Sequence, residues 1–364
     1  MNEVIPILIP SYQPDERFID LLKALKEANL GPVVIVDDGS GSEYQHIFKE
    51  AEALIVDLGG VLLHHDINRG KGRGLKTGFT FIMEKWPDAI GCITCDSDGQ
   101  HSPEAILSVR NEMLTHQNAL ILGSRSFDGD NVPRKSRIGN KFIATMFRYV
   151  TGNRIVDTQT GLRGIPMDFM RTLPDVKGER FEYEMRMLVE TAGKVPVIEI
   201  PIETIYDSVD NHQTHFNPFK DSMKIFFILL LAFLRFVFSS LTSCIIDLAF
   251  FQIFCWILAP HTIVYTLPAT ILARIISATY NFTVNYKIVF KSEGNVLKAL
   301  ARFAGLAVTW MFLSAGLVTG GNLLLPWMPD IIIKMIVDTS LFFVSFKLQQ
   351  KFVFGKGGKK NDDL

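Results

Sequence analysis

Gly91-Cys-Ile-Thr-Cys-Asp96-Ser-Asp98-Gly-Gln-His101 is the stretch on which the fold of the first half of this chain turns. An apolar run stops abruptly at two carboxylates spaced i, i+2. Ser102-Pro103-Glu104 follows with the order of a helix start: a capping hydroxyl, a proline at the first helical position and an acid in the first turn. The stretch is expected to be a strand that delivers two acids to the mouth of a site. In extended backbone alternate side chains leave on one side, so Asp96 and Asp98 can share a divalent cation. Asp, Ser and Gly are also ordinary turn residues, and an acidic turn is the competing reading.

Outward from this stretch, strand and helix patterns alternate. Val4 to Pro10 is apolar and is followed by a helical pattern in Phe18, Leu21, Leu22, Leu25 and Ala28. Pro32-Val-Val-Ile-Val36 ends in Asp37-Asp38-Gly39-Ser40, then come a helical Tyr44 to Ala53 and the run Val61 to His64. Beyond the opening stretch lie a helix after Pro103 and the run Ala119 to Leu122. This order predicts an α/β domain with a mostly parallel sheet and helices on both faces. Ligands in such sheets sit at the carboxyl ends of strands, where Tyr12, Glu16, Asp37, Asp38, Asp96 and Asp98 fall.

The loop Asn68-Arg69-Gly-Lys71-Gly-Arg73-Gly-Leu-Lys76 carries three glycines and four cations just before a helical stretch. Glycine-freed amides, a helix amino terminus and Arg69 and Lys71 together suit an anion such as a diphosphate; a basic turn is the alternative. It lacks the Gly-Lys-Ser/Thr ending of a Walker A loop and the Gly-x-Gly-x-x-Gly of dinucleotide folds. A divalent cation reconciles this loop with the acidic pair, because it neutralises both the carboxylates and a leaving diphosphate. Further on, Gly123-Ser-Arg125, Arg134-Lys135-Ser-Arg137 and Asp157-Thr-Gln159-Thr160-Gly161-Leu-Arg163 gather cations that suit a second anion, the acceptor, or a solvated surface. Gly178 to Met185 is helical in pattern, with Glu182 and Glu184 lining the cleft or facing water. His64, His65 and His101 receive no metal role.

At 364 residues the chain has room for two domains or more, and its formal charge of −1 points to no nucleic-acid partner. Charged and apolar residues mix up to about residue 220, whereas long apolar tracts dominate from Ile225 onward. The start of the chain has no signal-peptide pattern, so the first half is expected in the cytosol. Cys92, Cys95, Cys244 and Cys255 read as small apolar residues without disulfides.

In the second half, residues 221–235 form an amphipathic pattern marked by Lys224 and Arg235, as for an interfacial helix. Four spans are expected at about 236–258, 263–286, 299–323 and 331–352, ahead of a basic tail at 355–364. Lys and Arg gather on one side of these spans, which puts both chain ends in the cytoplasm. Asp247, Arg274, Asn281, Asn285, Lys334 and Asp338 fall inside apolar tracts and should face one another or a polar path. Lys334 and Asp338 are one helical turn apart and suited to pair.

As a set, Ile9-Pro10-Ser-Tyr12…Glu16, Val36-Asp37-Asp38-Gly39-Ser40, Asn68-Arg-Gly-Lys71-Gly, Asp96-Ser-Asp98-Gly-Gln100-His-Ser-Pro, Gly123-Ser-Arg125 and Asp157 to Arg163 resemble the family-2 type glycosyltransferases of GT-A fold. Within them the resemblance is to polyprenyl-phosphate sugar transferases. It implies that Pro10, Tyr12, Glu16, Asp37 and Asp38 surround the nucleotide, and that Asp96, Asp98 and Gln100 hold Mg2+ or Mn2+. Arg125, Arg134 and Arg137 would face the transferred sugar and the lipid phosphate, with Gln159, Thr160 and Arg163 beside them. Pro14-Asp15 separates Tyr12 from Glu16, where the family commonly has its acid sooner. The Gln-x-x-Arg-Trp motif of processive synthases is missing, which favours single transfer.

The second half resembles the four-span GtrA-type domain through Leu234-Arg-Phe-Val-Phe, Asp247-Leu, Asn281-Phe…Asn285-Tyr-Lys-Ile-Val-Phe290, Arg302-Phe303 and Lys351-Phe-Val-Phe354. The expected function is an inverting, metal-dependent transfer of a hexose from a nucleotide sugar, UDP-glucose or UDP-N-acetylglucosamine, to a polyprenyl phosphate. The membrane half would present or translocate the product, and a homo-oligomer is compatible with its small size. A lipid-sugar transporter with a non-catalytic soluble half is the alternative; a nucleotidyltransferase fits the membrane half less well.

Overall fold

The computed structural model describes residues 4–125, 134–191, 194–203, 218–260, 266–290, 292 and 294–355. The chain divides into two units, Met1–Ile228 and Leu229–Leu364.

In the first unit β1 (Ile7–Ser11) and β2 (Val33–Asp37) are buried along their whole length, as continuous apolar runs are when both faces of a sheet are covered. Between them α1 (Glu16–Glu27) starts at Asp15, whose carboxylate accepts from the Arg17 amide, and buries Phe18, Ile19, Leu21, Leu22 and Leu25. Each such side chain stabilises the fold by roughly 1.5–3 kcal/mol. The remaining elements are β3 (Val61–His64), β4 (Gly91–Thr94), β5 (Leu120–Arg125), β6 (Arg163–Pro166) and β7 (Val197–Ile202), with α2 (Gln45–Val56), α3 (Lys71–Lys85), α4 (Pro103–Thr115), α5 (Arg134–Thr151), α6 (Met167–Met170) and α7 (Glu182–Thr191). As expected, Ser102 caps α4 with Pro103 in its first turn.

The strands form one sheet in the order β3-β2-β1-β4-β6-β5-β7. Only β6 runs antiparallel, to both β4 and β5, so the sheet is mixed and mostly parallel. Register aligns Ser11 with Asp37 and Leu8 with Thr94, which brings the carboxyl ends of β1, β2 and β4 to one edge. Thr94 also pairs with Arg163, so the Asp157–Arg163 segment leads directly into the strand beside the acidic pair.

The second unit contains the larger part of α8 (Pro218–Leu258), followed by α9 (Thr266–Val284), α10 (Val296–Leu324) and α11 (Asp330–Leu348). The sequence places an interfacial helix before a first span, whereas α8 is one helix of 41 residues with no break at Arg235. At 1.5 Å per residue it is about 60 Å long, more than the ~30 Å hydrocarbon core requires. Among the described residues, Met223–Leu258 and Val296–Leu324 are long and apolar enough to cross a membrane. The shorter α9 and α11 have 19 residues each, and α11 carries Asp330, Lys334, Asp338 and Lys347.

The polar residues inside these helices do face one another. Asp247 pairs with Arg274 at 3.1 Å and accepts from the Ser277 hydroxyl at 2.8 Å; Lys334 pairs with Asp338 at 2.9 Å. Asn285 donates to Asn281 and Gln349, both at 3.0 Å. Helices α9 and α11 each end in a π-helical turn, Asn285–Val289 and Gln349–Val353, and the following Phe290 and Phe354 stack at 5.0 Å. The basic tail from Lys356 and the segment 204–217 lie outside the described residues.

Candidate active site

β4 ends at Thr94, and the acids lie in the turn beyond it, where Gly99 takes φ +73° and Asp98 accepts from the Gln100 amide at 3.1 Å. The acids thus lie in a turn that directly follows a strand end. Asp96 reaches Lys71 Nζ with Oδ1 at 2.6 Å, and the same ammonium reaches Glu184 Oε2 at 2.9 Å. Burial opposes ionisation of Asp96, but Lys71 above all, then His101 and Arg125, outweigh it and hold the carboxyl below its usual range. Burial likewise opposes charge on Lys71, and Asp96 with Glu184 raises it above its ordinary value all the same.

Asp98 behaves oppositely: burial, then repulsion from Asp96, push it up to about 6. Its folded value lies above the unfolded one, so the folded state binds the extra proton, and the contribution of Asp98 to stability falls as pH rises between about 4 and 6. Asp98→Asn is expected to lack this decline in the cation-free protein, as measured by chemical unfolding at pH 4, 5, 6 and 7; the same slope in both proteins would contradict it.

Gly161 is the close neighbour of the pair. A Cβ there would stand 2.3 Å from Asp96 Oδ2, so only glycine allows the carboxylate its present position. His101 is buried with Nε2 at 4.0 Å from Asp96 and Nδ1 without a hydrogen-bond partner; burial holds it below its ordinary value, with Asp96 opposing. The sequence offered no reason to single it out.

The glycine-rich loop is placed differently from expectation. Gly70 and Gly72 admit the backbone of Glu179 and the side chains of Arg180 and Tyr183, with Cβ distances of 2.4 and 2.6 Å to their nearest atoms. The Arg73 amide donates to the Glu179 carbonyl at 3.0 Å, so the start of α3 is covered by this segment. Arg73 and Lys76 pair with Glu179 at 2.6 and 3.2 Å, and Lys76 lies over the Tyr183 ring. Of the four cations in the loop, Arg69 alone is exposed and Lys71 is aimed at the acidic pair. Charge complementarity with Glu179 and Glu184 is the sequence signal for this docking, but nothing local connects the two segments.

Asp38 is 2 % exposed and faces inward. Its carboxylate accepts from the amides of Arg69 and Gly70 at 3.0 and 2.7 Å and from His65 Nδ1 at 2.7 Å. It thus shapes the glycine-rich loop, with His65 turned to Thr77 on its other side at 2.9 Å. Asp37 holds the Ser40 amide at 2.9 Å and His64 Nδ1 at 3.1 Å. Pro10 is buried on β1, Tyr12 is half-buried at its end, and Glu16 is exposed at the start of α1.

On the acceptor side, Arg125 meets the fully buried Asp157 through Nε at 2.7 Å and Nη2 at 3.2 Å. Asp157 also accepts from the Gln159 amide at 3.1 Å, leaving Gln159 partly exposed. Two expectations are corrected here. Thr160 is 1 % exposed and spends its hydroxyl on the Gly123 carbonyl at 2.6 Å. Arg163, also 1 % exposed, donates to the carbonyls of Thr160 and Glu184 at 2.8 and 2.9 Å. Neither reaches the cleft: Arg163 opens β6 inside the sheet, and Thr160, in the segment before it, is turned to the Gly123 carbonyl. Arg137 is half-exposed on α5; Arg134 begins that helix, and its side chain lies outside the described residues.

Among the described residues no group of three His, Cys, Asp or Glu is arranged to hold a metal. Two carboxylates and an amide on one turn nevertheless suit Mg2+ or Mn2+, which bind through one or two carboxylates and take further oxygens from water and substrate phosphates.

Residues 7–172 match the model of "Glycosyl transferase family 2", and residues 235–354 match that of "GtrA/DPMS, transmembrane domain". The chain belongs to glycosyl transferase family 2. This glycosyltransferase is 32% identical over 217 residues to an uncharacterised protein of Methanocaldococcus jannaschii, covering 57% of the chain and 85% of the relative. It is 26% identical over 220 residues to the UDP-N-acetylglucosamine–dolichyl-phosphate N-acetylglucosaminyltransferase of Methanococcus voltae, covering 56% and 87%. Among solved structures, the mannosyltransferase PcManGT of Pyrobaculum calidifontis, in complex with GDP-Man and Mn2+, aligns over 96% of the glycosyltransferase and 87% of its own chain, with TM-score 0.39 and 12% identity. The GtrA/DPMS match and the two long apolar helices make this glycosyltransferase a membrane protein.

Proposed function

We propose that this glycosyltransferase moves a hexose from a nucleotide-diphosphate sugar to a polyprenyl phosphate at the cytoplasmic face of the membrane, in one inverting, divalent-cation-dependent step. The observation that carries the reading is the acidic turn after β4, which brings Asp96 and Asp98 together beside the ammonium of Lys71, itself held by Asp96 and Glu184. Asp96, Asp98 and Gln100 would hold Mg2+ or Mn2+, which when bound neutralises the charge that develops on the departing diphosphate.

The other work falls to the chain's own groups. Pro10, Tyr12, Glu16 and Asp37 border the edge at which the base and ribose would lie, and Arg69 is the exposed cation of the adjoining loop. Arg125, aligned by Asp157, together with Arg134, Arg137 and Gln159, would orient the lipid phosphate and the sugar. A lipid monophosphate has its second pKa at about 6, so its oxygen arrives largely ionised. Position and charge neutralisation then lower the barrier without a dedicated base.

The membrane half would present or translocate the product through a multi-pass domain with both ends in the cytoplasm. The name of the Methanococcus voltae relative favours UDP-N-acetylglucosamine over UDP-glucose as the donor. Membranes containing the protein are to be incubated with polyprenyl phosphate and each labelled nucleotide sugar in turn. One donor is expected to label the lipid, EDTA to stop the labelling, and Mn2+ or Mg2+ to restore it. Binding of a nucleotide sugar without transfer from any donor would replace this reading by a transporter with a non-catalytic soluble half.

A further inference from the structure

Lys71 opens α3, where a cation meets the positive end of the helix dipole and is unfavourable by itself. It is held there by Asp96 Oδ1 at 2.6 Å and Glu184 Oε2 at 2.9 Å. The two partners differ in how firmly they are fixed. Glu184 sits on α7, and the approach to that helix is wedged against Gly70 and Gly72 and tied through Glu179 to Arg73 and Lys76. From behind, Arg163 donates to the Glu184 carbonyl at 2.9 Å. Asp96 lies in a turn, and its side chain is 30% exposed against 12% for Glu184.

The charges around Lys71 are unbalanced. Two carboxylates, those of Asp96 and Glu184, meet the Lys71 ammonium, and Asp98 follows Asp96 by two residues. A divalent cation held at this turn would draw on the same acids. That cation and Lys71 compete for the same carboxylate.

Building on the metal site of the proposed function, we infer that Lys71 is a displaceable internal counter-ion of Asp96. A divalent cation takes Asp96 from it, and Glu184 is the positioning residue that retains the ammonium at the cleft, free to turn toward an incoming diphosphate. Glu184 suits this part because it is the fixed partner: Lys71 leaves Asp96 without leaving the site.

The test is Mn2+ binding by the purified full-length protein without nucleotide, followed by electron paramagnetic resonance of the free ion. Lys71→Met is expected to tighten Mn2+ binding by about tenfold, since the competing ammonium is gone. Glu184→Gln is expected to weaken it several-fold, because Lys71 then rests on Asp96 alone. In the Lys71→Met background the same Glu184→Gln change is expected to alter affinity by less than about twofold. Unchanged or weaker binding by Lys71→Met overturns the inference. So does a Glu184→Gln effect of equal size with and without Lys71, which marks Glu184 as a mere source of negative charge. Asp98→Ala separates the two levels. If it leaves Mn2+ binding intact, the metal site itself is wrong; if it abolishes binding while the cycle shows no coupling, only the counter-ion role falls.

Discussion

Asp98→Ala is expected to lower formation of the lipid-linked sugar by about 10³-fold, or ~4 kcal/mol of barrier, while leaving the cation-free protein as stable as the parent. The loss follows from the part assigned to Asp98: without its carboxylate, the divalent cation that would neutralise the departing diphosphate loses one of the groups that would hold it. The unchanged stability follows from its surroundings. Burial and the neighbouring Asp96 push Asp98 up to about 6, so near neutral pH its ionised form strains the fold, and its removal relieves that repulsion. The Gln100 amide loses its acceptor in exchange, at a cost of about 1 kcal/mol. Turnover with labelled donor and thermal unfolding in EDTA, measured on one preparation, check both halves. A variant that transfers sugar at the parental rate would remove Asp98 from the mechanism.

Gly161→Ala is the second large effect, and it tests geometry where the first tests charge. A methyl group at 161 would lie 2.3 Å from Asp96 Oδ2 and 2.7 Å from its Cγ, so the carboxylate must rotate away. A rotated Asp96 loses its 2.6 Å contact with Lys71 and its place beside Asp98. Transfer should fall by about 100-fold, the size of effect expected from a misplacement of ~1 Å, while stability falls by only about 1 kcal/mol because a side-chain tip gives way. Gly164→Ala is the control. Its Cβ would meet Met113 at 2.6 Å, away from the acids, so it should affect unfolding and spare turnover. Equal losses of activity in both variants would show that Gly161 acts through general stability.

Much of the first unit was legible because its signals are local. Apolar runs ending in Asp37 and near Asp96 marked strands, and Ser102-Pro103-Glu104 marked the start of α4, since burial and capping act within a few residues. The glycine-rich loop was harder. Its glycines and cations fit an anion site and a helix-docking site equally well by composition. The choice between them depends on Glu179 and Glu184 in a distant segment, since Arg73 and Glu179 are 106 residues apart in the chain. The burial of Thr160 and Arg163 was not legible for a related reason: the short antiparallel β6, which Arg163 opens, has no pattern that separates it from a basic loop, and its position between β4 and β5 draws the preceding Thr160 against the Gly123 carbonyl.

By itself, then, the sequence determined the strand-helix alternation up to β5, the place of the acidic pair after an apolar run, the membrane-type composition of the second half and the family. These rest on hydrophobic periodicity and on turn and capping chemistry, which short stretches of chain carry. The tertiary structure alone decided which charges meet. Lys71 turns to Asp96 and Glu184, Asp38 turns inward to the amides of Arg69 and Gly70, and Arg163 supports the Glu184 backbone from within the sheet. A buried charge takes the partner that the packing brings within about 3 Å, and packing is a property of the whole domain.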